Sequence, residues 1–472
     1  MHVIWRYPFL ALLVIFAAIA AAGGQATPRN AVPADLGARI DAGVAEVMAK
    51  TGVPSVSIAV VGDGAIAYVR AYGNARLDPR LPATPEMRYS IGSISKQFTA
   101  VAMLLLAEEG RLSLDDRLVR WFPDLTRAKD VTVRQLLSMT SGYQDFWPQD
   151  YVLPMMLEPV TAAAILDRWA KKPLDFEPAT KWQYSNTNYV IAGLVVERVS
   201  GVSLADYLNL RVFAPLRMTT VANTDRSPLG PTEPEGYRRF ALGPPRPAPK
   251  EGPGWLFGAG ELSMTARDLA TWDVSIIEQT VMQPASYRQM GSEAQLASDV
   301  GTGYGLGVSV GTVEGHRFLA HGGEVSGFTA QNNVYPDDRA AVAVLTNQDA
   351  TNAAGQIATK VGRLILEVPD SAKGPSVELA RTVFEGLQHG RIDRALFTAN
   401  ANAYFTAQAL TDFASSLAPL GAPKEFTQLS QSLRGGMTLR RYTAVFPKKT
   451  LRVITFTMPD GKLEQFMVAA SE

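Results

Sequence analysis

The chain has 472 residues, 47% of them hydrophobic, with 45 basic and 45 acidic side chains. That length suffices for a large core and for two or three domains. Balanced charge without basic runs excludes the electrostatic footprint that nucleic acid or an anionic membrane would require.

Residues 1–26 open the chain with Arg6 as the only firm positive charge, an apolar stretch over 8–22, and then small residues. The stretch is shorter than the roughly 20 residues of a spanning helix. Its layout predicts a secretory leader, cleaved after Ala22 or Ala26, with an uncleaved anchor as the alternative. The mature protein is then bacterial and periplasmic or secreted, with no stable membrane span. There is no cysteine, which excludes a lipoprotein anchor and disulfides and leaves the fold to its core. The four histidines (His2, His316, His321 and His389) form no HExxH-like pair, so neither metal nor cofactor is expected.

Apolar spacing over 36–50 predicts a helix closed by Gly52. Residues 55–61 and 65–72 alternate like two strands around Gly62-Asp63-Gly64, a hairpin signal. A helix follows over 93–109, closed by Gly110, then a short capped helix within 130–142 and another over 189–199 that stops at Gly201. Residues 226–255 are dense in proline and glycine and read as a long surface excursion. Another helix opens within 258–272. Strand-like runs come at 303–310, 317–320, 331–335 and 340–345, and a helix over 353–366 closes the unit. This order predicts one sheet built from both ends of the segment. Linker composition marks 369–375. Beyond it, 377–388 and 394–417 read as helical, followed by four strand-like runs. The resulting division is leader 1–26, main domain 27–368, linker 369–375 and a small domain 376–472, which is of independent size. Its two helices and meander are coarsely similar to cystatin-like domains, and its role is open between dimerisation, shading the site and holding peptidoglycan.

Ser93-Ile94-Ser95-Lys96 opens a helix, so the hydroxyl and the amine share one face. A serine hydroxyl needs a neighbouring base to become a nucleophile, and a desolvated lysine can be one because burial lowers its pKa. The helix start adds backbone N–H groups suited to an oxyanion hole. Taken alone, the spacing also fits a capped surface helix. Tyr184-Ser185-Asn186 lies in a loop before an apolar helix. A nearby Lys⁺ would lower the phenol's pKa and make Tyr184 a general base. Asn186 could accept from Lys96 and donate to substrate. Taken alone, Tyr184 packs and Asn186 caps. His321-Gly322-Gly323 follows a strand-like run, where glycines let a substrate approach the backbone; alone, it also fits a glycine-rich turn.

SxxK, YxN and [K/H]xG in this order resemble the three motifs of the serine β-lactamase and penicillin-binding protein family. The forms SISK, YSN and HGG resemble its D-alanyl-D-alanine carboxypeptidase, D-aminopeptidase and class C-like branch. So do the flanks YSIGSISKQFTA, VTVRQLLSMTSG, FAPLRMTT and GAGELSMTARDLATW. The likeness runs over about 36–366. It implies an α+β fold: an antiparallel sheet flanked by helices with an all-helical subdomain, plus the small C-terminal α+β domain. It further implies a serine hydrolase in which Ser93 forms the acyl-enzyme and Lys96 and Tyr184 share base and acid duties. Asn186, His321, Gly322 and Gly323 would bind substrate, and the N–H groups of Ser93 and Glu324 would form the oxyanion hole. The implied substrates are small molecules or peptides: D-amino-acid peptides, peptidoglycan-derived ones among them, short esters or β-lactams. Oligomeric state is left open.

Two departures from the family pattern stand out. His321 replaces the usual lysine, which predicts a charge titrating near 6.5 rather than a fixed one. Gly322 removes a hydroxyl donor. Both weaken penicillin hydrolysis against small esters or D-amino-acid peptides. A GxSxG match at 307–311 lacks the strand–turn–helix context of a nucleophile elbow, since 303–310 alternates like a strand. The competing reading is a catalytically weak binding or scaffold protein that kept the fold.

Overall fold

A computed structural model describes residues 32–149, 151–366, 374–434 and 436–470. The leader at 1–26 and most of the 369–375 linker lie outside the described residues. The main sheet is antiparallel. Strands β1 (Ser55–Gly62) and β2 (Ala65–Leu77) form the expected hairpin, and β3 (Arg80–Pro82) extends its edge. From the far end of the segment come β4 (Ser309–Val313), β5 (His316–Val325), β6 (Phe328–Tyr335) and β7 (Ala340–Thr346). The order β3-β2-β1-β7-β6-β5-β4 puts the two ends side by side, with Ile58 opposite Val344.

The principal helices of this unit are α1 (Ala34–Thr51), α2 (Ser95–Glu108), α3 (Val133–Leu137), α4 (Asn186–Ser200), α5 (Ala266–Glu278) and α6 (Ala353–Ile365). Central strands read as near-continuous apolar runs because both faces are covered. Val56, Ile58, Val60, Val342 and Val344 pack with Ile40, Val44 and Ile357 of α1 and α6. Ala59, Val61, Ala343 and Leu345 face the helical side with Phe98 and Trp272. Gly52 and Gly201 close α1 and α4 in left-handed conformation, as their sequence positions predict.

Helix α2 is buried from Ser95 to Leu106, as befits a helix apolar nearly all round. It starts after a 3-10 turn, Gly92–Ile94, rather than at Ser93. Two other expectations are corrected. Residues 226–255 are not merely a surface excursion: Tyr237 and Trp255 are buried, and Glu251 accepts from the Ser326 N–H at 2.7 Å. The run 303–310 is largely irregular, with Gly307 at φ 75° and the strand beginning at Ser309. No helix follows Ser309, so the elbow geometry is absent there.

The small domain has α7 (Pro375–Gln388), α8 (Ala399–Tyr404) and α9 (Ala407–Leu417), then a meander of β8 (Glu425–Arg434), β9 (Met437–Phe446), β10 (Lys449–Thr457) and β11 (Leu463–Ala470). The single helix expected over 394–417 is divided. Phe405 leaves helical geometry, and Thr406 caps α9 by accepting from the Ala409 N–H. Phe384, Phe426, Tyr442 and Phe466 centre a core of its own. Among the described residues no helix is long and apolar enough to cross a membrane.

Candidate active site

Two glycines let the turn around Ser93 meet the strand edge. A Cβ on Gly92, which has φ 51°, would lie 2.7 Å from the Glu324 nitrogen, and one on Gly323 would lie 1.9 Å from the Ile91 carbonyl oxygen. Real Cβ atoms do not come so close to backbone atoms, so the stretch around Ser93 and strand β5 can touch only where both side chains are missing.

Lys96, the second residue of α2 and one turn beyond Ser93, has no exposed surface. Its Nζ donates to Asn186 Oδ1 and to the Ala259 carbonyl, both at 2.8 Å, and lies 2.9 Å from Ser93 Oγ. The Asn186 amide is oriented by Asp145, whose Oδ1 accepts from the Asn186 N–H at 2.9 Å and from Nδ2 at 3.1 Å. A carboxylate only accepts, so Oδ1 of Asn186 is left facing the lysine. Burial pushes Lys96 down to about 7, with the negative charge of Asp145 opposing the shift. A neutral amine has two N–H bonds and a lone pair. Asn186 Oδ1 and the Ala259 carbonyl oxygen can only accept, so they take the two N–H bonds, and the lone pair falls to the Ser93 hydroxyl, which can donate.

Tyr184 is half-buried, and its phenol pairs with the Ser93 hydroxyl. The expected lowering of its pKa by Lys⁺ does not hold. Burial holds the phenol above its ordinary value, and the Ser93 hydrogen bond offsets this only in part. The Lys96 nitrogen lies 4.9 Å from the Tyr184 ring centre.

The expected titrating charge at His321 does not hold either. His321 is 6% exposed. Its Nδ1 is 2.5 Å from the Gly322 carbonyl, which only accepts, so Nδ1 carries a proton. Nε2 then accepts from the Tyr304 hydroxyl at 3.0 Å. Burial first, and the Lys96 charge second, push the imidazole down to about 4. The ring is neutral in ordinary buffers, so it offers a substrate carboxylate no cation. NMR titration should show no His321 transition between pH 5 and 8; a midpoint near 6.5 would mean that the ring is solvated instead.

All the motif residues therefore converge. Ser93 stands where two clefts meet. One is lined by Phe146, Trp147, Asn186, Trp255 and Leu256. The other is lined by Tyr184, His321, Gly322, Gly323, Gln331 and Asn352. Glu324 borders both, and its Oε1 accepts from the Ala350 N–H at 2.8 Å. Asp145, Ala259 and Tyr304 escape a motif reading because they sit in loops without periodicity. The GAGEL segment held the one available signal. Gly258, at φ 66°, packs on the Tyr189 carbonyl, and Thr99 Oγ1 donates to the Gly258 carbonyl at 2.7 Å, which turns Ala259 onto the lysine.

Residues 40–367 match the protein family described as Beta-lactamase. The chain is 28% identical over 323 residues to penicillin-binding protein 4* of Bacillus subtilis (strain 168), covering 64% of this chain and 70% of that one. It is 29% identical over 327 residues to a D-aminopeptidase of Brucella anthropi, covering 67% of this chain and 60% of the relative's length. A solved D-stereospecific amidohydrolase from Streptomyces sp. superposes with a TM-score of 0.60 at 26% identity, over 68% of this chain and 96% of that one. The octameric penicillin-binding protein homologue from Pyrococcus abyssi shares the fold over 92% of this chain and 96% of its own, with a TM-score of 0.64 at 24% identity.

Proposed function

Because the chain belongs to the Beta-lactamase family, we propose that it is an exported serine hydrolase that acylates Ser93 and then hydrolyses that ester. The observation that carries this reading is the hydrogen-bond set on Lys96, which aims the amine at Ser93 Oγ. Neutral Lys96 takes the Ser93 proton as Oγ attacks the substrate carbonyl. The developing oxyanion is held by the Ser93 and Glu324 N–H groups, each donor of this kind being worth about 3 kcal/mol of barrier. Tyr184, whose phenol is protonated at rest, gives that proton to the leaving group and is recharged by the proton Lys96 took from Ser93. In deacylation neutral Lys96 takes a proton from the attacking water and Tyr184 returns one to Ser93 Oγ. Asn186 and the glycine-bearing edge at 321–323 hold the substrate. The protein's substrate is a D-amino-acid peptide or amide, a short ester or a β-lactam.

A scaffold that had lost catalysis would have no reason to keep a lysine with no exposed surface beside a serine. The desolvation of Lys96 costs stability, as expected of a group kept for chemistry. Export rests on the leader-like residues 1–26. The domain limits 27–368, 369–375 and 376–472 are supported by the separate core of the small domain.

The test is intact-mass spectrometry during turnover of chromogenic esters, D-amino-acid amides and a cephalosporin, followed by peptide mapping. An acyl adduct on Ser93 is the expected result, and an adduct elsewhere or none with any donor counts against the reading. Asp145→Asn should lower kcat/KM about tenfold and move the pH midpoint of acylation downward. It frees the Asn186 amide to rotate and removes the anion that holds the Lys96 proton.

A further inference from the structure

The two clefts at Ser93 differ in chemistry, and the site's own groups say which part of a substrate enters each. Asn186 borders only the first cleft and Tyr184 only the second. Tyr184 keeps its proton and touches the Ser93 hydroxyl, so a departing group that must be protonated leaves on the Tyr184 side. The acyl part then lies on the Asn186 side. That cleft, about 120 Å³ in volume, is walled by Phe146, Trp147, Trp255 and Leu256, with Gln149, Glu324 and Asp349 also lining it. Its aromatic wall is fixed: Phe146 and Trp255 pack on Trp169 and on each other with tilted or edge-on rings, centroids 5.9–6.0 Å apart, and the Trp255 indole N–H donates to the Glu158 carbonyl at 2.8 Å. On the leaving-group side the polar lining beyond the motif residues is Glu324, Thr329, Gln331, Thr351 and Asn352. Among the described residues lining the two clefts there is no Lys or Arg.

We infer that the protein cleaves a bulky, apolar acyl group of about benzyl size from an uncharged leaving group, and that it discriminates against leaving groups bearing a carboxylate. This deepens the acyl-enzyme reading and rests on it. An aromatic pocket rewards buried apolar area, whereas a carboxylate entering the second cleft loses hydration and meets amides, hydroxyls and the Glu324 carboxylate but no cation.

Matched thioesters test this, since the released thiol can be assayed directly in a protein without cysteine. The carbonyl carbon gains a bond to Ser93 Oγ and loses its bond to sulfur, and the serine proton ends on the thiol. With kcat/KM normalised to each compound's hydroxide-catalysed rate, S-phenylacetyl thioglycolamide should exceed S-acetyl thioglycolamide about tenfold. It should exceed S-phenylacetyl thioglycolate, the carboxylate form, by about tenfold as well. Trp147→Ala should shrink the first ratio, and Gln331→Lys should shrink the second by improving the carboxylate substrate. Ratios within threefold of one, or a preference for the carboxylate, overturn the inference. Thiol release that persists undiminished in Ser93→Ala would instead overturn the acyl-enzyme reading beneath it.

Discussion

Ser93→Ala should lower kcat/KM for every hydrolysed substrate by about 10⁴-fold or more and leave the fold intact. Removing a nucleophile that works as a unit with its base forfeits nearly the whole covalent route, and what remains is binding and the oxyanion hole. The substitution deletes one oxygen from a partly exposed residue in the middle of a 3-10 turn and creates no cavity in the core. It also leaves Lys96 its two carbonyl-type acceptors, Asn186 and Ala259. A thermal midpoint near wild type together with lost turnover is therefore the expected pair of readings. Ser95, two residues on, is an internal control. Its Oγ accepts from the Leu262 N–H at 3.2 Å, a contact that ties α2 to the 258–262 segment. Ser95→Ala should thus lower stability more than Ser93→Ala and activity far less. The reverse ranking would move the nucleophile.

The sheet was legible because its strands carry strong local signals, and because two halves of one apolar pattern at opposite ends of a segment must find each other. Spacing alone put Ser93 and Lys96 on one helical face. What spacing could not reveal was charge state. His321 reads as a titrating base until Tyr304 and the Gly322 carbonyl close around it. The Tyr184 phenol was expected to be acidified by a lysine. That same lysine is so thoroughly desolvated that its own proton is the loosely held one. Asp145 was missed for a related reason: a carboxylate in an irregular loop has no period, and its role depends on which amide it faces. The 394–417 segment failed differently, since helix propensity ran straight through a capping threonine at Thr406.

The pH dependence of acylation should follow Lys96. With its pKa pushed down to about 7, roughly a tenth of the protein carries the neutral amine at pH 6 and roughly nine-tenths at pH 8. The rate should therefore climb nearly tenfold across that interval and level off above it. The sign is fixed by the role: a base works only once deprotonated, so activity is lost as pH falls through the folded-state value. Tyr184 cannot produce this limb, because its phenol is displaced upward, and His321 cannot, because its transition lies near 4. Lys96→Met should lower kcat/KM about 10³-fold and flatten the profile. Lys96→Arg separates charge from basicity. A guanidinium keeps the cation and can still donate to Asn186 and Ala259, yet it never releases its proton in this range. If Lys96→Arg stays as inactive as Lys96→Met, proton abstraction is what the site takes from the lysine. Activity surviving in the arginine variant, or a wild-type rate independent of pH from 5.5 to 8.5, would assign the lysine an electrostatic role and pass the serine's proton to another group.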